Sequence, residues 1–111
     1  MRKLYHPKIE DITVEGILHA LSDPVRVQIF MDLAKAECPQ NCSTYLHVAQ
    51  RKKPLAKSTL SQHFKVLREA GLIRSEREGV ELKNYTRCPE LKKTFGPMIN
   101  TIIDTYQKQK R

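Results

Sequence analysis

The stretch Ser58-Thr59-Leu60-Ser61-Gln62-His63-Phe64-Lys65-Val66-Leu67-Arg68-Glu69-Ala70-Gly71-Leu72-Ile73 decides how this chain folds. Leu60, Phe64 and Leu67 recur at i, i+4 and i+7, which puts three large apolar side chains on one face of a helix. Ser58 is suited to cap its start, and Gly71 to leave its end in the left-handed conformation. The spacing predicts a helix over 58–70. Its other faces carry Ser58, Thr59, Ser61, Gln62, His63 and Lys65. Leu72 to Arg77 then reads as a short strand, Gly79 as a turn and Leu82 to Arg87 as the returning strand of a hairpin.

Upstream, Val14, Ile17, Leu18 and Leu21 follow helical spacing and predict a helix over 11–22. Ser22-Asp23-Pro24 restarts the chain. Asp23 can cap the next helix, and Pro24 fits its first position, where the missing N–H costs nothing. Asp23 and Arg26 are close enough in sequence to bridge one helical turn. Ile29, Phe30, Leu33 and Ala34 carry this second helix to Ala36. Cys38-Pro39-Gln40-Asn41-Cys42-Ser43 reads as a loop, and Ser43 or Thr44 as the cap of a poorer third helix over 44–52, stopped by Pro54. Residues 1–10 are polar with Pro7 and read as an arm or an extended lead-in.

Downstream, Cys88-Pro89-Glu90 opens a last helical region. Leu91, Phe95, Met98, Ile99, Ile102, Ile103 and Tyr106 recur there at helical spacing, and Gly96-Pro97 should break it. The whole is one domain over 1–111, mainly α with a β-hairpin. About five helices plus a two-stranded wing, with helix, turn and helix directly before the hairpin, is the winged helix-turn-helix arrangement.

Charge narrows the function. Lys and Arg number 20 against 12 Asp and Glu, a formal net charge of +8 with a pI near 9.6. From residue 38 to residue 68 there is no carboxylate, while Arg51, Lys52, Lys53, Lys57, Lys65 and Arg68 fall in that stretch. A surface that approaches phosphates gains from excluding acids as much as from adding bases. The segment from Glu10 to Glu37 is by contrast locally acidic. No apolar run is long enough to span a membrane, and the first residues lack the apolar stretch of a signal peptide, so the expected compartment is the cytoplasm. No Gly-rich phosphate loop, His-based metal motif or nucleophile with an adjacent base is present, so enzymatic activity is not expected, nor is a cofactor.

Two segments resemble the ArsR/SmtB-type bacterial transcriptional regulators. Leu21-Ser22-Asp23-Pro24-Val25-Arg26 is similar to that family's L-x-D-P-x-R opening of a helix. Ser58 to Ile73 is similar to its recognition helix and the start of its wing. The resemblance covers residues 14–87 and implies a dimeric repressor that binds a palindromic double-stranded DNA operator and leaves it when a signal arrives. It departs from the family at Val48-Ala49-Gln50-Arg51-Lys52-Lys53-Pro54, which is basic and ends in proline where glycine is usual. The family's C-x-C metal motif is missing from this helix. Its Asp/His zinc pairs are missing from the last one, so no metal site is expected.

With the apolar stripe buried, the expected DNA-contacting residues are Lys57, Ser58, Thr59, Ser61, Gln62, His63, Lys65 and Arg68 on the helix, with Arg77 and Lys83 on the wing. Gln62 and His63 suit base edges, while Lys57, Lys65 and Arg68 suit phosphates. Arg74, Arg77 and Lys83 are expected on or near the hairpin tip around Gly79, a basic signal that Glu76, Glu78 and Glu81 dilute. Arg26, which the resemblance leaves open between packing and DNA, is not counted among the expected DNA contacts. Val14, Ile17 and Leu18, with Met98, Ile99, Ile102, Ile103 and Tyr106, are the expected dimer interface. Cys38, Cys42 and Cys88 are candidate sensor thiols. Inert cytosolic thiols are the preferred reading, and capture of a soft metal or metalloid, or oxidation, are its alternatives. A winged-helix module for protein–protein contact, with its basic face merely solvated, is the competing function.

Overall fold

The computed structural model describes residues 4–35, 40–41 and 56–109. The expected third helix over 44–52, with Arg51, Lys52 and Lys53, lies outside the described residues, as do Cys38, Cys42 and His47. In chain order the described elements are a 3-10 turn (Ile9–Asp11), α1 (Val14–Ala20), α2 (Pro24–Lys35), β1 (Gln40–Asn41) and α3 (Lys57–Glu69). They continue with β2 (Ile73–Glu78), β3 (Glu81–Thr86), α4 (Cys88–Leu91) and α5 (Gly96–Gln109).

Each start and stop has a local cause. Thr13 Oγ1 accepts from the Gly16 N–H at 3.1 Å and starts α1. Asp23 Oδ1 accepts from the Val25 N–H at 2.8 Å, and Pro24 opens α2, as the sequence predicts. Helix α3 starts one residue before the expected point, with Ala56 as its N-cap and no side-chain cap bond. Ser58 is therefore not the cap; it sits inside the first turn. The last helical region is interrupted, but at residues 92–95 rather than at Gly96-Pro97, which instead opens α5 one residue before the expected restart.

The core lies between the helices and the base of the hairpin. Ile17 and Ala20 from α1, Val27, Ile29 and Phe30 from α2, Leu60, Phe64 and Leu67 from α3, and Ile73, Leu91 and Ile99 are all buried. Removing each of the larger side chains from water stabilises the fold by about 1.5–3 kcal/mol. Ala34, expected on the apolar stripe of α2, is exposed. Strands β2 and β3 pair antiparallel from Ile73↔Thr86 to Glu78↔Glu81. Gln40 and Asn41, expected as loop, pair with Asn84 and Lys83, so the hairpin becomes a three-stranded sheet of order β1-β3-β2. Among the described residues no helix is long and apolar enough to cross a membrane.

The junction between α3 and β2 fixes how the hairpin leaves the helix. Gly71 has φ +89°. Its N–H donates to the Arg68 carbonyl at 3.0 Å and the Leu72 N–H to the Leu67 carbonyl at 3.1 Å. These two bonds form a Schellman motif, and buried Leu67 and Leu72 supply the apolar residues that accompany it. A Cβ on Gly71 would stand 2.5 Å from Ile12 Cδ1. Glycine is thus required twice, by backbone conformation and by space.

Gly71→Ala is expected to destabilise the protein by about 2–4 kcal/mol, from the left-handed penalty plus overpacking. Gly79 also has positive φ, but nothing lies within 4 Å of its added Cβ, so only the backbone penalty applies to Gly79→Ala. Urea denaturation of both variants checks this. Equal losses would show that Ile12 places no constraint on the junction.

Candidate nucleic-acid interface

Burying Leu60, Phe64 and Leu67 turns a polar face of α3 to solvent. Lys57, Ser58, Thr59, Ser61, Gln62 and Lys65 are all exposed. The start of α3 has its first N–H groups unspanned by a side-chain cap, so the positive end of the helix lies beside Lys57, Ser58 and Thr59. Hydroxyls, a carboxamide and two ammonium groups on one convex ridge are suited to oxygen and nitrogen acceptors.

His63 stands apart from this group. It is half-buried on the flank that faces α2, and its Nδ1 lies 3.3 Å from Arg26 Nη1. Arg26 is itself fixed at several points. Its Nε donates to the Ala20 carbonyl at 2.7 Å, its Nη2 to the His19 carbonyl at 3.2 Å, and its Nη1 lies 3.7 Å from Asp23 Oδ2. The Asp23–Arg26 pair predicted from spacing is present. Spacing gave no sign that the same guanidinium reaches the carbonyl end of α1 and a residue of α3.

The wing departs from expectation in three ways. Arg68, expected to reach phosphate, turns toward the sheet and donates to Ser75 Oγ at 3.1 Å. Ser75 Oγ in turn donates to Asn84 Oδ1 at 2.6 Å, with both side chains buried. Second, Arg74 is not at the tip. It is half-buried near the base, 4.4 Å over the Tyr85 ring, and pairs with Glu76 at 2.6 Å. Third, Arg77 and Lys83 lie on opposite faces. Directly paired residues of an antiparallel ladder share a face, so the register puts Arg77 with Leu82, Ser75 and Asn84, and Lys83 with Glu76, Arg74 and Tyr85. Arg77 is exposed, on the same sheet face that Arg68 meets. Lys83 is half-buried opposite a carboxylate. Sequence reading overlooked Val80, which is fully exposed at the tip beside Gly79.

The first described residues, expected as an arm or an extended lead-in, are tied to the rest of the fold. His6 Nε2 accepts from the Ser75 N–H at 3.0 Å, Pro7 is buried, and the Pro7 carbonyl accepts from Arg87 Nη1 at 2.8 Å. Arg87 is 6% exposed and also makes a two-pronged pair with Glu90, at 3.2 and 3.0 Å. The segment is therefore a strap across the outer edge of β2.

Of the residues expected at a dimer interface, Ile17 and Ile99 belong instead to the protomer's own core, at 0% and 3% exposure. Val14 and Leu18 on α1 are exposed, and Met98, Ile102, Ile103 and Tyr106 on α5 are half-buried. Cys88 is exposed at the start of α4 and borders a groove of about 500 Å³ whose other walls include Phe30, Met31, Ile103 and Asp104. Among the described residues no three His, Cys, Asp or Glu side chains converge on a point that could hold a metal ion.

Helix α3 running through a Schellman turn into a twisted hairpin, with α1, α2 and α5 packed around them, defines a winged helix-turn-helix protein. Comparison with known proteins shows which regulators it resembles. Residues 54–75 match the model of the family described as bacterial regulatory protein, arsR family. Over 67 residues, 60% of this chain, it is 39% identical to the HTH-type transcriptional repressor SmtB of Mycobacterium tuberculosis, and that match covers 44% of the repressor. The chain thus spans less than half the length of the curated relatives it matches. Among solved structures it resembles an ArsR-like transcriptional regulator from Rhodococcus sp. RHA1, with TM-score 0.60, 24% identity and coverage of 86% of this chain and 83% of that one. It also resembles the transcriptional regulator HlyU from Vibrio vulnificus CMCP6, with TM-score 0.59, 25% identity and coverage of 83% and 85%. The chain thus has the fold of these regulators, and its sequence is similar to the arsR family over residues 54–75.

The strap brings a pH dependence. Burial, with Arg68 beside it and Arg87 and Arg74 further off, lowers His6 below the ordinary histidine value; a backbone bond at Leu4 opposes this in part. The unfolded chain therefore takes up the proton at a higher pH than the folded one. Stability is expected to fall as pH drops below about 6.5 toward the lowered value of the folded state, and to be unaffected by this group above it. His6→Gln keeps an acceptor for the Ser75 N–H without a titrating group. Unfolding midpoints in urea from pH 8 to 5 should show a shallower decline in that variant. An identical decline would remove His6 as the cause.

Proposed function

We propose that this chain is a DNA-binding transcriptional repressor. It acts as a homodimer on a palindromic double-stranded operator, reads bases with α3, grips the backbone with the wing, and leaves in response to a signal. The observation that carries this reading is the α3 ridge. Every residue from Lys57 to Lys65 outside the buried stripe is polar, and all but His63 are exposed, within a stretch free of carboxylates from residue 38 to residue 68. Similarity to SmtB, described as a repressor, supports the direction of regulation. Gln62 is placed to read a base edge, and Lys57, Lys65 and Arg77 to neutralise phosphates. Val14 and Leu18, with the half-buried apolar residues of α5, form the surface on which a second copy would close a two-fold dimer. Such a dimer sets two α3 helices about one DNA turn, roughly 34–36 Å, apart.

Selection from random duplex DNA, repeated across salt concentrations, tests the function. Binding should weaken with a log–log slope of about −0.9 per phosphate neutralised. No enrichment at any salt concentration would favour the protein-contact module instead.

Gln62→Ala is expected to cost about 1–3 kcal/mol on the selected site and little on unrelated DNA. Lys65→Ala should weaken both alike and flatten the salt slope by about 0.9. Equal losses from Gln62→Ala on both kinds of DNA would sink the base-reading role.

For assembly, Leu18→Asp with Ile103→Asp should give a folded monomer in sedimentation at micromolar concentration, where the parent is a dimer. Both positions avoid Ile17 and Ile99, whose loss would damage the protomer's core. A parent that sediments as a monomer, or a double variant that still pairs, rejects this interface.

A further inference from the structure

We propose that Arg26 is a positioning residue for nucleic-acid recognition. It holds the His63 ring so that Nε2–H alone is presented to the ligand, and position 63 therefore selects a hydrogen-bond acceptor. The proposal rests on the DNA-binding reading given above and deepens it at one residue.

The chemistry is one-sided. A guanidinium has only donors, so a bond between Arg26 Nη1 and His63 Nδ1 at 3.3 Å requires Nδ1 to be the acceptor. A neutral imidazole that accepts at Nδ1 carries its proton at Nε2. The two ring nitrogens point away from each other, so Nε2–H is turned from Arg26, and no described residue bonds it. An unsupported ring samples both tautomers and both flips. This one is supported by a guanidinium held at three other points. The Arg26 side chain is 12% exposed and is tied to the Ala20 and His19 carbonyls and to Asp23.

The consequence is a selection rule. A fixed Nε2–H donates to guanine O6 or N7, adenine N7, thymine O4 or a phosphate oxygen, and does not pair with the amino groups of cytosine and adenine. Lysine cannot replace Arg26. An ammonium on a flexible stem does not reach two carbonyls, a carboxylate and a ring nitrogen in fixed directions.

The first arm of the test needs no DNA. Long-range 1H–15N correlation of the ring nitrogens should show His63 as a single Nε2–H tautomer. In Arg26→Lys and Arg26→Met its Nδ1 resonance should shift as the bond is lost. A wild-type ring protonated at Nδ1, or a signal the same in all three proteins, overturns the lock. The second arm is a double-mutant cycle on the selected DNA. Arg26→Met and His63→Ala should each weaken binding by about fivefold, the scale of one hydrogen bond. The double variant should be no weaker than either. Additive losses, or a loss from Arg26→Met with none from His63→Ala, overturn the proposal by assigning Arg26 to the scaffold alone. Thermal unfolding of each variant shows whether it is folded.

Base and phosphate acceptors separate in the same experiment. A base acceptor gives a loss confined to one base pair, and a phosphate gives a loss uniform across sequences. If the wild type binds no DNA, the functional reading fails, and with it the selection rule, while the ring-nitrogen spectra still decide the lock.

Discussion

A single backbone conformation at Gly71 determines how the two halves of the candidate interface meet. The left-handed φ closes the Schellman turn, and the missing side chain leaves room for Ile12. Helix α3 must therefore pass into β2 at one angle, and the hairpin leaves the helix in a fixed direction. Ile12 lies just before α1, so the same contact ties the N-terminal part of the chain to the junction. The ridge of α3 and the exposed Arg77 owe their relative placement to this turn, since neither touches the other.

Around that turn, arginines convert local helices into one rigid unit. Arg26 joins the end of α1, the start of α2 and the flank of α3. Arg68 joins the end of α3 to the buried Ser75–Asn84 pair in the sheet. Arg87 joins the exit of β3 to the Pro7 carbonyl and to Glu90. Arg26 and Arg87 use several donors of a planar fork to satisfy oxygens or nitrogens that would otherwise be left without a partner in partly dry surroundings. A strongly basic composition thus divides in two. Some of its arginines are structural and turned inward, and the exposed charge available to an anionic partner is smaller than the net charge alone implies.

Much of this was legible in sequence, and the failures have physical causes. The i, i+4, i+7 spacing of Leu60, Phe64 and Leu67 located α3, Gly71 its end and Asp23-Pro24 the start of α2, while Gly96-Pro97, expected to break the last helix, opens α5 instead. Periodicity gives a face but not a rotamer, so it could not show that Arg68 turns toward Ser75. Apolar spacing also does not say whether a stripe meets its own core or another surface, which is why Ile17 and Ile99 were given to an interface. Strand β1 is two polar residues without alternation, and β3's open edge, far along the chain, is what makes them a strand. The strap at His6 and Pro7 and the reach of Arg26 to His63 are long-range contacts with no local signature.

The strap has a further consequence for the sheet. In the order β1-β3-β2, strand β2 has no strand on its outer side among the described residues. Its outward Ser75 N–H is satisfied by a side chain, His6, and not by another backbone. Edges of this kind are where foreign strands add and where aggregation begins. The Ser75 amide therefore exchanges its hydrogen with solvent when the strap lifts, whereas amides inside the β2–β3 ladder wait for the hairpin itself to open. Protection of β2 against unwanted pairing is in this way assigned to a short segment at the other end of the chain, held by one imidazole and one carbonyl.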